Sequence, residues 1–267
     1  MNLISLTPFD LSVAALLVLL LAGLSWRLRL GVQKSLLISA ARSIIQLILL
    51  GLVLKQLFNQ VSLPFIGLLS LVMLLVAGYE VMARQSRRYR GWWGLGIGTS
   101  SMFISSFSIT ILALFTIVRV EPWYTPQYLI PLLGMLLGNT MSGIAIALNN
   151  LTQTAYEQRG QIEARLMLGH NWQQAIEKIR REALRAGLIP IINAMATAGI
   201  VSLPGMMTGQ ILAGAPPMEA AKYQLMIMFL ISAGTGLGSL SAIWIGSARL
   251  FDERMRLRLD RLKHKPD

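Results

Sequence analysis

Few residues in this chain could carry out chemistry, and what is missing narrows the choice. There is no cysteine, so disulfides, thiolate metal sites and thiol nucleophiles are excluded. No Gly-Lys pair occurs, so the Gly-x-x-x-x-Gly-Lys-Ser/Thr phosphate loop cannot form. A hydrolase needs an activated nucleophile beside a base, yet both histidines, His170 and His264, fall outside the apolar runs. This is not the pattern of an enzyme. Carriers driven by protons or sodium place titratable groups inside the bilayer. Here the apolar runs offer only Arg42, Lys55 and Glu80, each near an edge where a side chain can snorkel. What remains is amide and thioether chemistry: Asn139, with Met135 and Met141 on one run and Met206 and Met207 on another. Thioethers suit soft metals, but methionine also fills irregular apolar gaps. Asn139 can line a path or bond to a neighbouring helix. No set of metal ligands is assigned.

The elements that must position these residues are membrane helices. The 267 residues are 54% hydrophobic and only 13% charged, against about 25% charged in an ordinary soluble domain. Residues 91–118, 122–156, 186–218 and 223–248 contain no Asp, Glu, Lys or Arg, and each exceeds the roughly 20 residues that cross a bilayer as a helix. The chain is expected to be all-α and polytopic, with about seven transmembrane helices near 9–26, 36–58, 61–83, 92–118, 127–150, 186–203 and 222–247. With the N-terminus outside, the inner segments hold 20 of the 24 basic residues, as the positive-inside rule requires. The C-terminus is then cytoplasmic, and the net charge of +12 belongs to loops beside an anionic leaflet rather than to a nucleic-acid surface. The arginines follow the first apolar run instead of preceding it, so that run reads as a retained span.

Two stretches depart from the apolar pattern. Residues 151–185 hold Glu157, Glu163, Glu177 and Glu182, and Trp172, Ala175, Ile176, Ile179 and Ala183 recur at helical spacing. Gly169 suits a helix C-terminus, and Asn171 with Gln174 can cap the next helix. A helix–turn–helix on the cytoplasmic side is expected, running on into the span at 186. It could lie on the membrane surface or dock a partner. The second stretch is "SLPGMMTG" (202–209). Pro204 interrupts the helix ladder about 27 Å along a span that starts near 186, with a short re-entrant or interfacial helix expected over 205–215. Broken backbone at membrane depth is tolerated only against protein or a water-filled cavity. Pro204, Gly205, Met206, Met207 and Gly209, with Met135 and Asn139, are therefore the candidates for the path or outer gate. The pairs Gly134/Gly138, Gly205/Gly209 and Gly234/Gly238 have the small-xxx-small spacing of helix contacts.

"EARLMLGHNWQQAIEKI" (163–179) resembles the cytoplasmic EAA loop of ABC-transporter permeases, with Glu163, Ala164, Gly169 and Ile179 at the matching spacings. Arg165 replaces the second alanine, and the Leu-Pro that follows in that loop is absent. "ARSIIQLILLGLVLK" (41–55), "IPLLGMLLGNTMSGIAIALNNL" (130–151) and "VSLPGMMTGQILAGAPPMEAAKYQ" (201–224) resemble the FetB-like permeases, which include bacterial iron-export permeases and plant aluminium-tolerance permeases. The resemblance covers nearly the whole chain and implies a single permease domain, 1–267, with a coupling segment at 151–185 and a basic tail at 249–267. It implies two copies joined to two ATP-binding cassette subunits, which would hold the ATP and Mg. In that reading Glu163, Ala164, Gly169 and Ile179 couple the chain to the ATPase, and the chain exports a metal cation across the bacterial inner membrane. The other reading of the residues is a self-sufficient carrier or channel for a small cation.

Overall fold

The computed structural model describes residues 7–59 and 62–264. The ends of the expected tail and of the expected domain, 265–267 and 1–6, lie outside these residues, as does position 61 at the start of one expected span. The fold is helical, and among the described residues six helices are long and apolar enough to cross a membrane.

The chain forms two compact units. The first contains α1 (Pro8–Arg27), α2 (Gln33–Asn59) and Leu212–Gly214. Thr7 starts α1 with a capping box, its hydroxyl accepting from the Asp10 N–H and the Asp10 carboxylate accepting from the Thr7 N–H. Apolar side chains cover α1 and α2 on nearly all sides and remain exposed, as suits helices solvated by lipid.

The second unit holds α3 (Leu63–Ala83), then a rod from Trp92 to Val118, then α6 (Pro126–Glu157). The rod consists of α4 (Trp92–Met102) and α5 (Ser108–Ala113), each followed by a π-helical turn. After α6 come α7 (Arg159–Met167), α8 (Trp172–Ala175), α9 (Glu177–Thr197), α10 (Gly205–Leu212) and α11 (Pro217–Arg249). A two-stranded antiparallel ribbon pairs β1 (Arg87–Tyr89) with β2 (Leu262–His264).

Close approaches set the directions of the central helices. A Cβ at Gly238 would meet Thr140, and one at Gly246 would meet Leu148, so α6 and α11 run parallel. Met195 meets Ser232 while Gly187 lies by Ser239, so α9 runs against them. At the crossing, a Cβ on Gly187 would stand 2.7 Å from the Gly143 carbonyl and 2.9 Å from the Ala147 Cβ. Only glycine lets the two backbones come this near. On α11, a Cβ at Gly238 would collide with the Thr140 and Ser105 side chains and one at Gly234 would press on Leu136, whereas Gly138, Gly205 and Gly209 have open space where a Cβ would point. Along the rod, Ser101, Ser105, Ser106 and Thr110 are buried, and Ser105 and Thr110 donate back to carbonyls one turn earlier.

The structure corrects the sixth expected span. No straight helix runs over 186–203. α9 begins at Glu177 within the charged segment and ends at Thr197, leaving about 18 Å of uncharged helix after Arg185. The break also precedes Pro204. Gly199 takes a φ of +81°, its N–H donates to Ser202 O, and the Val201 and Ser202 N–H groups donate to Thr197 O. Pro204 stands just before α10, and its carbonyl accepts from Thr208. Prolines do lie inside helices, at Pro131 in α6 and Pro190 in α9.

Candidate functional site

The hairpin end of the second unit is built locally. Gly169 follows α7 with a φ of +86°, a conformation open to glycine and costly to most other residues. Asn171 then caps α8: its Oδ1 accepts from the Gln174 N–H at 2.9 Å, and Gln174 Oε1 accepts from the Asn171 N–H at 3.1 Å. These are the two features expected from the sequence. Ile176 separates α8 from α9, and Arg165 donates to the Ala175 carbonyl across the turn. Glu163, Ala164 and Gly169 are exposed, but Ile179 is buried within its own chain and anchors the hairpin rather than presenting a surface. The tip carries Met167 at 83% exposure and Leu168 at 78%.

Long-range polar contacts hold the base of this hairpin. The Ser86 N–H donates to Asn149 Oδ1 at 2.8 Å, and the Thr152 hydroxyl donates to the Arg87 carbonyl at 3.0 Å. Arg87 also lies over the Tyr156 ring, 3.4 Å from its centroid. Tyr89 is buried and donates to the Gly246 carbonyl at 2.9 Å; burial pushes its phenol far above the usual tyrosine range, so it remains a donor. The basic tail is folded over its described residues. Its strand β2 pairs with β1, and the Arg90 N–H donates to the Arg261 carbonyl.

At the opposite end of the unit, the starts of α6 and α11 and the side of α10 enclose a cavity of about 210 Å³. Of the seven path candidates, it unites Met135 and Met206. Met226, Tyr223, Gln210 and Gln127 line it too, and sequence spacing did not single them out. Met207, Pro204, Gly205 and Gly209 share the same short segment but do not line this cavity. Asn139 lies apart from it. Its amide donates to the Met135 carbonyl at 2.8 Å, within its own helix, and it stands on an exposed face of α6 with Gly138. Ser142, one turn on, contacts Arg84 at 3.5 Å. The cavity lining is mostly apolar and includes no carboxylate or imidazole. Among the described residues, no group of three or more His, Cys, Asp or Glu could hold a metal ion.

A family model described as "Uncharacterised protein family (UPF0014)" matches residues 8–251. The chain is 37% identical to the UPF0014 membrane protein slr1647 of Synechocystis over 241 residues, 89% of this chain and 90% of that one. It is 33% identical to the "Probable iron export permease protein FetB" of Escherichia coli over 272 residues, 99% of this chain and all of that one. It is 34% identical to "Protein ALUMINUM SENSITIVE 3" of Arabidopsis thaliana over 245 residues, 91% of this chain and 88% of that one. No solved structure matches it. With the family model covering nearly all of the helical core, this multi-pass membrane protein belongs to the UPF0014 family.

Proposed function

We propose that this chain is the membrane-spanning subunit of an ABC transporter that exports a metal cation such as iron. Two copies would pair with two ATP-binding subunits, which hold the ATP and Mg. The observation that carries the reading is the presented hairpin. It is capped at both helix ends, fixed at its base by long-range polar contacts, and exposes Met167 and Leu168 beyond the ends of the apolar helices. A soluble partner with an apolar groove would cover those side chains. The name of the Escherichia coli relative supports transport of iron. The charge distribution supports an N-terminus outside and a hairpin in the cytosol of a bacterium, beside its inner membrane. The exposed face of α6 with Gly138, Asn139 and Ser142 supports a second copy. An amide facing lipid is expensive, and two such faces would enclose a polar path.

Reconstitution tests this directly. Proteoliposomes should move iron only when the chain is joined by its ATP-binding subunit and supplied with ATP. Uphill transport by the chain alone would overturn the reading in favour of a self-sufficient carrier. Gly169→Pro should reduce ATP-driven flux at least about tenfold with insertion unchanged, because proline cannot adopt a φ of +86°. Glu163→Lys should act in the same direction.

A further inference from the structure

After α11 the chain turns sharply over 252–258. Asp252 fastens the turn: Oδ1 accepts from the Arg254 N–H at 3.0 Å and the Arg256 N–H at 2.9 Å, and Oδ2 accepts from the Arg256 guanidinium at 2.9 Å. The Arg258 N–H then returns to the Leu250 carbonyl at 2.7 Å. Met255 lies within this turn with a φ of +58° and its side chain 48% exposed. A left-handed residue between two fastened segments is ordinarily glycine or asparagine. Methionine there carries backbone strain and also exposes apolar surface. Outliers of this kind concentrate where a function requires that side chain.

Met255 also has a particular neighbour. With Glu253 and Arg254 it walls a cleft of about 830 Å³ whose other wall is Glu163, Met167 and Gly169 of the hairpin. The turn is tied to the hairpin by the Trp172 and Phe251 rings, whose centroids are 5.7 Å apart. It is tied to α11 by Arg261, which donates to the Arg249 and Phe251 carbonyls. Through the β1–β2 ribbon it is tied to the loop between α3 and α4. The apolar helices on this side stop at Glu157 and Arg249, so the cleft lies beyond them. Its lining carries both signs of charge, Glu163 and Glu253 beside Arg254 and Arg256, around Met167 and Met255, which is the polar rim and apolar centre of a protein-facing surface.

We propose that the 252–258 turn is the second half of the docking surface for the ATP-binding subunit, with Met255 as the side chain it presents. This rests on the reading that the hairpin is the first half. The partner surface is an apolar groove on a soluble protein, continuous across both walls of the cleft. Because the turn is bonded to α11 and to the α3–α4 loop, docking would grip three elements of the membrane unit instead of one.

The test is photo-crosslinking of the full chain in its own cells. A photoreactive residue is placed at 167, at 255 or, as a control, at 237, where Leu237 is exposed on α11; adducts are identified by mass spectrometry. Positions 167 and 255 should capture the same P-loop protein, and 237 should not. Capture from 167 but not from 255, or only lipid from 255, overturns this inference and leaves the hairpin reading standing. No P-loop protein from 167 removes the hairpin reading and this inference with it. Met255→Gly provides a second measurement, because glycine relieves the left-handed strain and the turn stays folded. The yield from 167 should then fall about tenfold with the thermal midpoint unchanged or raised. An unchanged yield would again overturn the proposal.

Discussion

The two ends of the second unit are held by different forces. At the hairpin end, residues far apart in sequence are joined by directional bonds: Ser86 to Asn149, Arg87 to Thr152, Tyr89 to Gly246 and Arg90 to Arg261. At the cavity end, α10 buries no residue, and positions such as Gly205 and Gly209 face open space. Between the ends lies the crossing of α6, α9 and α11, where backbones nearly touch. Directional bonds resist displacement, while loose apolar contact permits it. The contrast suits a molecule that receives a push at one end and yields at the other.

The largest expected effect separates the crossing from α10. Gly187→Leu must displace the Gly143 carbonyl and the Ala147 Cβ. We expect a loss of about 3 kcal/mol, read as a lowered midpoint of thermal unfolding in detergent. At Gly209 a Cβ meets nothing within 4 Å, so the same substitution should be neutral there, or stabilising by up to about 1 kcal/mol through helix propensity. Equal losses at the two positions would erase the contrast.

A smaller effect tests the directional bonds. Tyr89→Phe keeps the ring and removes the donor to the Gly246 carbonyl, which should cost about 1 kcal/mol. Protease susceptibility of the 84–91 loop should rise accordingly, and no change would make that bond incidental.

The smallest effect is acid sensitivity of the tail turn. The Arg256 N–H, followed by its guanidinium and the Arg254 N–H, holds the Asp252 carboxyl below its ordinary value of 3.8. A carboxylate depressed in the fold contributes stability that is complete above its unfolded value and is lost as pH falls through the folded one. Cleavage within 252–258 should therefore be flat from neutral down to about pH 4 and rise only below it. A rise already near pH 6 would point to a different group.

What was legible in the sequence was local. Gly169 and the Asn171–Gln174 cap are separated by a few residues, and their geometry follows from backbone sterics and one pair of hydrogen bonds. The long apolar helices follow from the absence of charge. The crossing was not legible. Gly143 with Ala147 and Ala183 with Gly187 do have small-xxx-small spacing, but spacing does not say which pair meets which, because the match depends on how α9 is rotated against α6. The break was misplaced for a related reason. Pro204 is the stronger sequence signal, but a proline just before a helix obstructs nothing, and the left-handed Gly199 does the turning. Met135 and Met206 were named together for their thioethers. Their shared cavity depends on that turn, and Met226 and Tyr223 complete it from the first turns of α11, where no spacing singles them out. The tail's order was not legible, because it comes from pairing with a strand of three residues far away in sequence.

α9 is one unbroken rod of 21 residues, about 30 Å long, which starts in the hairpin and ends at the left-handed turn before α10. Its tightest contact, Gly187, lies close to its midpoint. With Ile179, Ala183 and Ile191 buried on either side of that point, the rod can move only as one piece. Tilting it by about five degrees sweeps each tip roughly 1.3 Å in opposite senses, a figure set by that length alone. Such a tilt would carry the hairpin end and the left-handed turn before α10 in opposite directions, with no bond along the rod having to break.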